Sequence, residues 1–179
     1  MGTKWLDLLR QAAPNTSRVL VIESPNPQRA SYLPDIRAAA RPIDVEVTLS
    51  NLGNEADLGA TIEKVSHHAN CGLIVLPSPF TSAHRRTLID AAALYRLPAI
   101  YPFRHFAEAG GLMAYGSDGN DMFRRTAAYV DRILKGESPE NLPVQAPTKF
   151  ELVLNLKTAK GLGLNIPTEL VAIADEVIE

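Results

Sequence analysis

Cysteine is almost missing: Cys71 stands alone in 179 residues, which excludes an intramolecular disulfide and any multi-cysteine metal site. It lies in NCGLIVLP, just ahead of an apolar run, where a cysteine packs as a small hydrophobe. An excess of one charge is missing too. Eighteen Lys and Arg against 20 Asp and Glu give a formal net charge of −2, so no basic face for nucleic acid or anionic lipid is expected. No apolar run reaches the roughly 18 residues that a membrane-spanning helix needs. The opening MGTKWLDLLRQAAPNTSR has neither the apolar core nor the small-residue cleavage site of a secretory signal. That leaves a cytoplasmic product or a sequence beginning inside a longer precursor, and the second is the favoured expectation.

Catalytic signatures are scarce as well. Four histidines occur, His67, His68, His84 and His105, and none belongs to an H-E-x-x-H pattern; G-x-S-x-G and C-x-x-C are also missing. Ala109-Gly110-Gly111 precedes a strand rather than opening a phosphate-binding helix, and no Walker-type loop or G-x-G-x-x-G follows the first strand. No enzyme, cofactor or metal site is therefore expected.

What is present is alternation. A helix over Lys4 to Ala13 sets Trp5, Leu8, Leu9 and Ala12 on one face, and Arg18 to Glu23 reads as a buried strand. Ser24-Pro25-Asn26-Pro27 reads as a turn, with a helix from there to Ala40. Val45 to Leu49 alternates like a strand near the sheet edge. A helix starting at Glu55 or Asp57 and ending near Ala69, then a strand over Leu73 to Leu76, come next. Pro77 to Ser82 forms a loop, with Thr81 or Ser82 as N-cap of a helix over Ala83 to Tyr95. Strands over Leu97 to Phe103 and Leu112 to Tyr115 flank the Gly-rich connection, and an amphipathic helix over Asp118 to Lys135 stops at Gly136. Strands alternating with helices imply an α/β fold, a doubly wound parallel sheet with helices on both faces (Rossmann- or flavodoxin-like).

The wording of the last third is specific in combination: AGGLMAYG, ILKGESPENLPV and KFELVLNLKTAKGLGL. In this order the segments resemble the C-terminal portion of the extracytoplasmic solute-binding proteins of ABC transporters, in the branch whose better-known members bind aromatic amino acids and related small molecules. The resemblance runs from about Trp5 to the end and covers only the second half of such proteins. A full two-lobed binder takes roughly 280 to 300 residues. It implies a periplasmic-binding-protein type I-like lobe over residues 1–117. Residues 118–148 would form a crossover helix and connection that packs on the other lobe, and 149–179 a return strand and closing C-terminal helices. It further implies a periplasmic parent system, a small-molecule solute (an amino acid, or a small carboxylate or aromatic acid) and an ABC permease as partner.

Solutes bind beyond the carboxyl ends of the strands in such sheets. The candidate positions are Ser24 and Asn26 after the first strand, and Ser78, Phe80 and Thr81 after the third. Tyr101, Phe103 and Arg104 follow the next, and Tyr115, Ser117 and Asp118 the last. Hydroxyls would anchor polar groups, the rings would form walls, Arg104 would pair with an acid and Asp118 with an ammonium. Each has a plainer reading: Thr81 and Asp118 as helix caps, Tyr101 and Phe103 as core, Arg104 as a solvated charge. Better-known relatives carry Asn-Ser-Ser-type and Asp-Asn-Thr-type loops and a Gly-Asp pair. Here Glu-Ser-Pro, Ser-Pro-Phe-Thr and Pro-Phe-Arg imply a bulkier, differently charged pocket. The apolar stripe of the Asp118 to Lys135 helix also leads to an expected homodimer, with that helix exchanged between subunits. Two other classes stay open: a cytoplasmic sensory or effector-binding module of the same fold, and a small flavodoxin-like enzyme.

Overall fold

In the computed structural model, which describes residues 1–23, 32–51 and 56–179, seven strands share one sheet. They are β1 (Arg18–Glu23), β2 (Glu46–Asn51), β3 (Cys71–Val75), β4 (Ala99–Tyr101), β5 (Met113–Ser117), β6 (Phe150–Asn155) and β7 (Glu176–Ile178). The spatial order is β2-β1-β3-β4-β5-β6-β7. The first five run parallel; β6 lies antiparallel to β5, and β7 parallel to β6.

Side-chain alternation builds two cores, one on each face. Val19 and Val21 of β1, Ile74 of β3, Ile100 of β4 and Leu152 and Leu154 of β6 face one layer. That layer holds α1 (Gly2–Ala12), α2 (Leu33–Ala40), α8 (Leu156–Leu162) and α9 (Thr168–Ala172). Leu20, Ile22, Leu73, Val75, Ala99 and Val153 face the other, with α3 (Ala56–Ser66), α4 (Pro79–Ala83), α5 (Arg85–Leu94) and α6 (Arg104–Glu108). Central parallel strands covered on both faces must be apolar throughout, and Cys71–Val75 is buried at every position. At α1 the 3.6-residue period seats Trp5, Leu6, Leu8, Leu9 and Ala12 on the sheet, each no more than 1% exposed.

The last long helix, α7 (Gly119–Leu134), is different: none of its 16 residues is buried. It leaves the body at Asp118, stops at Gly136 in a left-handed conformation that glycine adopts freely, and residues 137–149 return beside it. The Tyr129 hydroxyl donates to the Pro143 carbonyl at 2.6 Å, and Arg125 donates to Thr148 Oγ1 at 2.9 Å and to Gln145. Helix and return segment thus form an arm on the body.

The doubly wound sheet stands as the alternation implied, with local differences. The expected helix over 83–95 is two helices, α4 and α5, meeting at His84, and its cap is Ser78 rather than Thr81 or Ser82. The Gly-rich connection contains α6, and the three-residue strand β7 closes the sheet. The turn over 24–27 and the first part of the helix expected after it lie outside the described residues.

Candidate functional site

Strand order reverses at β1, with β2 on one side and β3 on the other, and the helices that follow β1 and β3 lie on opposite faces. Connections that part in this way open a crevice beyond the carboxyl ends of the strands. Ser24 and Asn26, expected on one side of it, lie outside the described residues. The remaining rim is carried by the ends of β3, β4 and β5, which at about 4.8 Å per strand spans about 10 Å.

After β3 the chain turns into α4 through a capping box. The Ser78 hydroxyl accepts from the Thr81 backbone N–H at 3.0 Å, and Thr81 Oγ1 accepts from the Ser78 N–H at 3.1 Å. Thr81 Oγ1 also donates to the Leu76 carbonyl at 2.9 Å and is fully buried. Its hydroxyl fastens the loop and is not presented to a ligand, a correction to its expected role. Ser78 stays half-buried at the rim, and so does Phe80, whose ring lies 4.5 Å from that of His84.

After β4, Tyr101 is 1% exposed and stacks on Phe106 at 5.0 Å. Burial pushes its phenol well above the usual range. It is a core residue, not a pocket wall. His105 lies 4.8 Å from Phe106 and 5.6 Å from half-buried Phe103, so four rings run in series from the core to the rim. Burial first, and the Arg85 charge second, push the His105 imidazole down, which favours its neutral form.

Arg104 does not reach toward a solute. Its Nε donates to Glu108 at 2.7 Å, Nη1 to Glu151 at 3.0 Å and Nη2 to Glu176. Three carboxylates from α6, β6 and β7 thus occupy the fork that was expected to hold an acid, and Glu108 above all pushes its pKa up. Glu151 is 8% exposed, and burial raises its carboxyl despite Arg104.

At β5 the backbone approaches β4 so closely that a Cβ on Gly116 would overlap the Pro102 carbonyl. The Tyr115 carbonyl accepts the Trp5 indole N–H at 2.7 Å, and its ring stacks on Phe150 at 6.1 Å, toward the α1 layer. Half-buried Ser117 ends the strand opposite Phe150. Asp118, 7% exposed, caps α7 by accepting from the Asp121 N–H at 3.1 Å and pairs with Lys149 at 2.8 Å. Lys149 first, and that N–H second, hold its carboxyl below the usual range. Its plain reading as a cap is the one the geometry bears out.

The ends of β3, β4 and β5 therefore leave Ser78, Phe80, Phe103 and Ser117 half-buried, with Tyr115 to one side, while Thr81, Tyr101, Arg104 and Asp118 are engaged within the protein. Sequence reasoning missed Trp5, Lys149, Phe150 and Glu151 at this edge. It also passed over two histidine rings: His84, four residues after Phe80, and His105, two after Phe103. The Phe80–His84 spacing, one helical turn, was the available signal.

Comparison with known proteins places this geometry. A profile described as ABC transporter substrate binding protein matches residues 2–178. A solved conserved domain protein from Vibrio cholerae O1 biovar El Tor str. N16961 superposes with TM-score 0.86 at 23% identity, over 98% of this chain and 60% of that one. The ABC domain from Streptococcus pneumonia, solved in complex with L-Trp, gives TM-score 0.85 at 19% identity over 99% and 60%. CD0873 from Clostridium difficile, a substrate-binding protein with adhesive properties in a ligand-free, open structure, gives TM-score 0.65 at 18% identity over 98% and 59%. The chain thus spans about 60% of the first two structures' length. No curated protein sequence matches it. Among the described residues no helix is long and apolar enough to cross a membrane. With the profile running almost from end to end, this chain belongs to the ABC transporter substrate-binding protein family.

Proposed function

We propose that the chain forms the C-terminal lobe of a periplasmic solute-binding protein serving an ABC importer, and that it grips a small organic solute without chemically altering it. The observation that carries this reading is the rim where β3, β4 and β5 end. There the strand ends carry a half-buried hydroxyl, Ser78, and two half-buried rings, Phe80 tilted against His84 and Phe103 stacked on His105. Few polar anchors among aromatic walls suit an amino acid, or an aromatic or small carboxylic acid, and suit no bond-making step. The L-Trp bound to the Streptococcus pneumonia protein agrees with that class. The finer divisions follow the same reading: residues 1–117 and 149–179 make the lobe, and 118–148 are the crossover helix and connection that pack on the first lobe.

Met122, Phe123, Val130, Ile133 and Leu134 of α7 are 40 to 82% exposed, a stripe that calls for a cover. A first lobe is the cover we assign, since the solved relatives are longer than this chain. In a preparation of this chain alone, a second copy takes that place and yields a homodimer. A thermal-shift panel of amino acids, aromatic acids and small carboxylates, run on this chain and on the complete gene product, tests the proposal. A saturable rise in Tm that Phe103→Ala and Ser78→Ala diminish is expected. No rise with either protein across the panel overturns the solute reading, and a monomer at micromolar concentration by light scattering overturns the dimer.

A further inference from the structure

The arm leaves and re-enters the body at one place. β5 ends at Ser117, β6 begins at Phe150 opposite it, and the ladder is extended by one further bond, from the Asp118 N–H to the Lys149 carbonyl at 3.1 Å. At that junction the Asp118 carboxylate does two things at once. One oxygen accepts from the Asp121 N–H in the first turn of α7, and the other takes the Lys149 ammonium from the returning segment at 2.8 Å. Beyond it, the side-chain bonds of α7 among the described residues stay inside the arm. Thr126 reaches Met122, Lys135 reaches Asp131 at 2.8 Å, and Arg132 reaches Glu137, in addition to the Arg125 and Tyr129 bonds to the return segment. No residue of α7 is buried, and among the described residues no side-chain hydrogen bond of α7 reaches the sheet.

We infer that Lys149 is a positioning residue. Its pair with Asp118 registers the first turn of α7 to the β5–β6 ladder and so fixes the angle at which the arm leaves the body. At 1.5 Å per residue the helix is about 24 Å long, so a pivot of about 20° at Asp118 moves its far end by about 8 Å. A short charge-assisted contact at the base therefore governs a large displacement at the tip. Whatever the arm carries inherits that angle. If it carries a first lobe, the pair biases how wide the crevice stands; this last step rests on the proposed function, whereas the test does not.

The test is a distance distribution between spin labels at Lys135→Cys, at the arm's tip and off the apolar stripe, and Lys160→Cys on α8, in a Cys71→Ala background whose thermal unfolding matches the parent, with labelled chains diluted into unlabelled protein so that only distances within one chain are read. The parent is expected to give one narrow peak. Lys149→Met leaves the helix cap intact and removes the pair; Asp118→Asn keeps a capping oxygen and removes the charge. Both are expected to lose the narrow peak in favour of a broad distribution displaced by about 8 Å, and Lys149→Arg is expected to keep it. Hydrogen exchange of the α7 amides beyond its first turn, unchanged in both variants, separates a pivoting arm from a melted one. An unaltered peak in Lys149→Met overturns the inference, whether or not Asp118→Asn moves it. So does faster exchange along α7 in Lys149→Met, because a merely structural cap would give that result.

Discussion

Two amphipathic helices of this chain have opposite fates. In α1 the apolar stripe lies on the sheet, and Trp5, Leu8 and Leu9 are fully buried. In α7 an equally regular stripe ends in Phe123 at 79% and Leu134 at 82% exposure. Periodicity made both helices legible, but it specifies a face, not a partner. The cover of α1 comes from residues that follow within the same chain. No described residue of this chain buries α7, and its order is kept by a cap, a return segment and an ion pair instead.

The contrast breaks most sharply at Trp5. Removing an entirely buried indole that also ties α1 to the Tyr115 carbonyl leaves a cavity and an unpaired acceptor. Trp5→Ala is expected to cost about 3 to 5 kcal/mol, read by urea denaturation as a lowered midpoint with an unchanged slope. A loss below about 1 kcal/mol would mean that α1 is no better seated than α7.

Arg104 gives the next largest effect and tests how the body closes on itself. Replacing it with Met strands Glu151, whose side chain is 10% exposed, beside the other carboxylates. An expected loss of about 1.5 to 3 kcal/mol at neutral pH should shrink in acid. Burial already raises the Glu151 carboxyl, and without Arg104, the largest opposing influence, it rises further. Its ionised form then opposes folding above that raised value, and the penalty fades as pH falls through it. Arg104→Met with Glu151→Gln should recover much of the loss. If the single and double variants are equally unstable, the ion-pair hub is not what holds β6 and β7 to α6.

Arg104 also marks where reading the sequence stopped working. β1 occupies the residues its apolar run announced, and β2 proved an edge strand as its alternation implied, because these patterns are local. Only one partner of Arg104 is local, Glu108 one helical turn on; Glu151 and Glu176 lie 47 and 72 residues away, so the neighbouring sequence signalled one carboxylate and not the other two. Tyr101 was more legible: its place in the strand already offered the core reading, and what the sequence left out was only its partner, Phe106 of α6. Short elements were lost for a different reason. α6 has five residues and β7 three, too few for a period to declare itself, and tertiary contacts alone hold them.

A smaller effect is expected at the base of the arm when pH changes. The folded pKa of Asp118 lies below its ordinary value, so its contribution is complete above the normal carboxylate range and is lost as pH falls through the lowered value. Amide exchange in the first turn of α7 should quicken in that acid window, while the amides of β1 and β3 stay protected. Equal loss of protection in body and arm would show one cooperative unit and remove the distinction drawn between them.

The smallest effect belongs to the exposed stripe, and there a null result carries the information. Glutamine is a good helix former, so Phe123→Gln and Leu134→Gln remove apolar surface while sparing α7 its propensity. In the chain alone each is expected to change unfolding free energy by no more than about 0.5 kcal/mol, whereas Leu9→Gln, which puts an amide into a fully buried site, should prevent stable folding. The same two arm variants should make the homodimer dissociate at higher protein concentration in light scattering, because the stripe is what the second copy would cover. A loss of several kcal/mol from Phe123→Gln in monomeric protein would place the α7 ring against the chain's own body and erase the difference between the two helices. Dissociation without loss of monomer stability would instead show that α7 is built to be covered by something that the folded lobe does not supply.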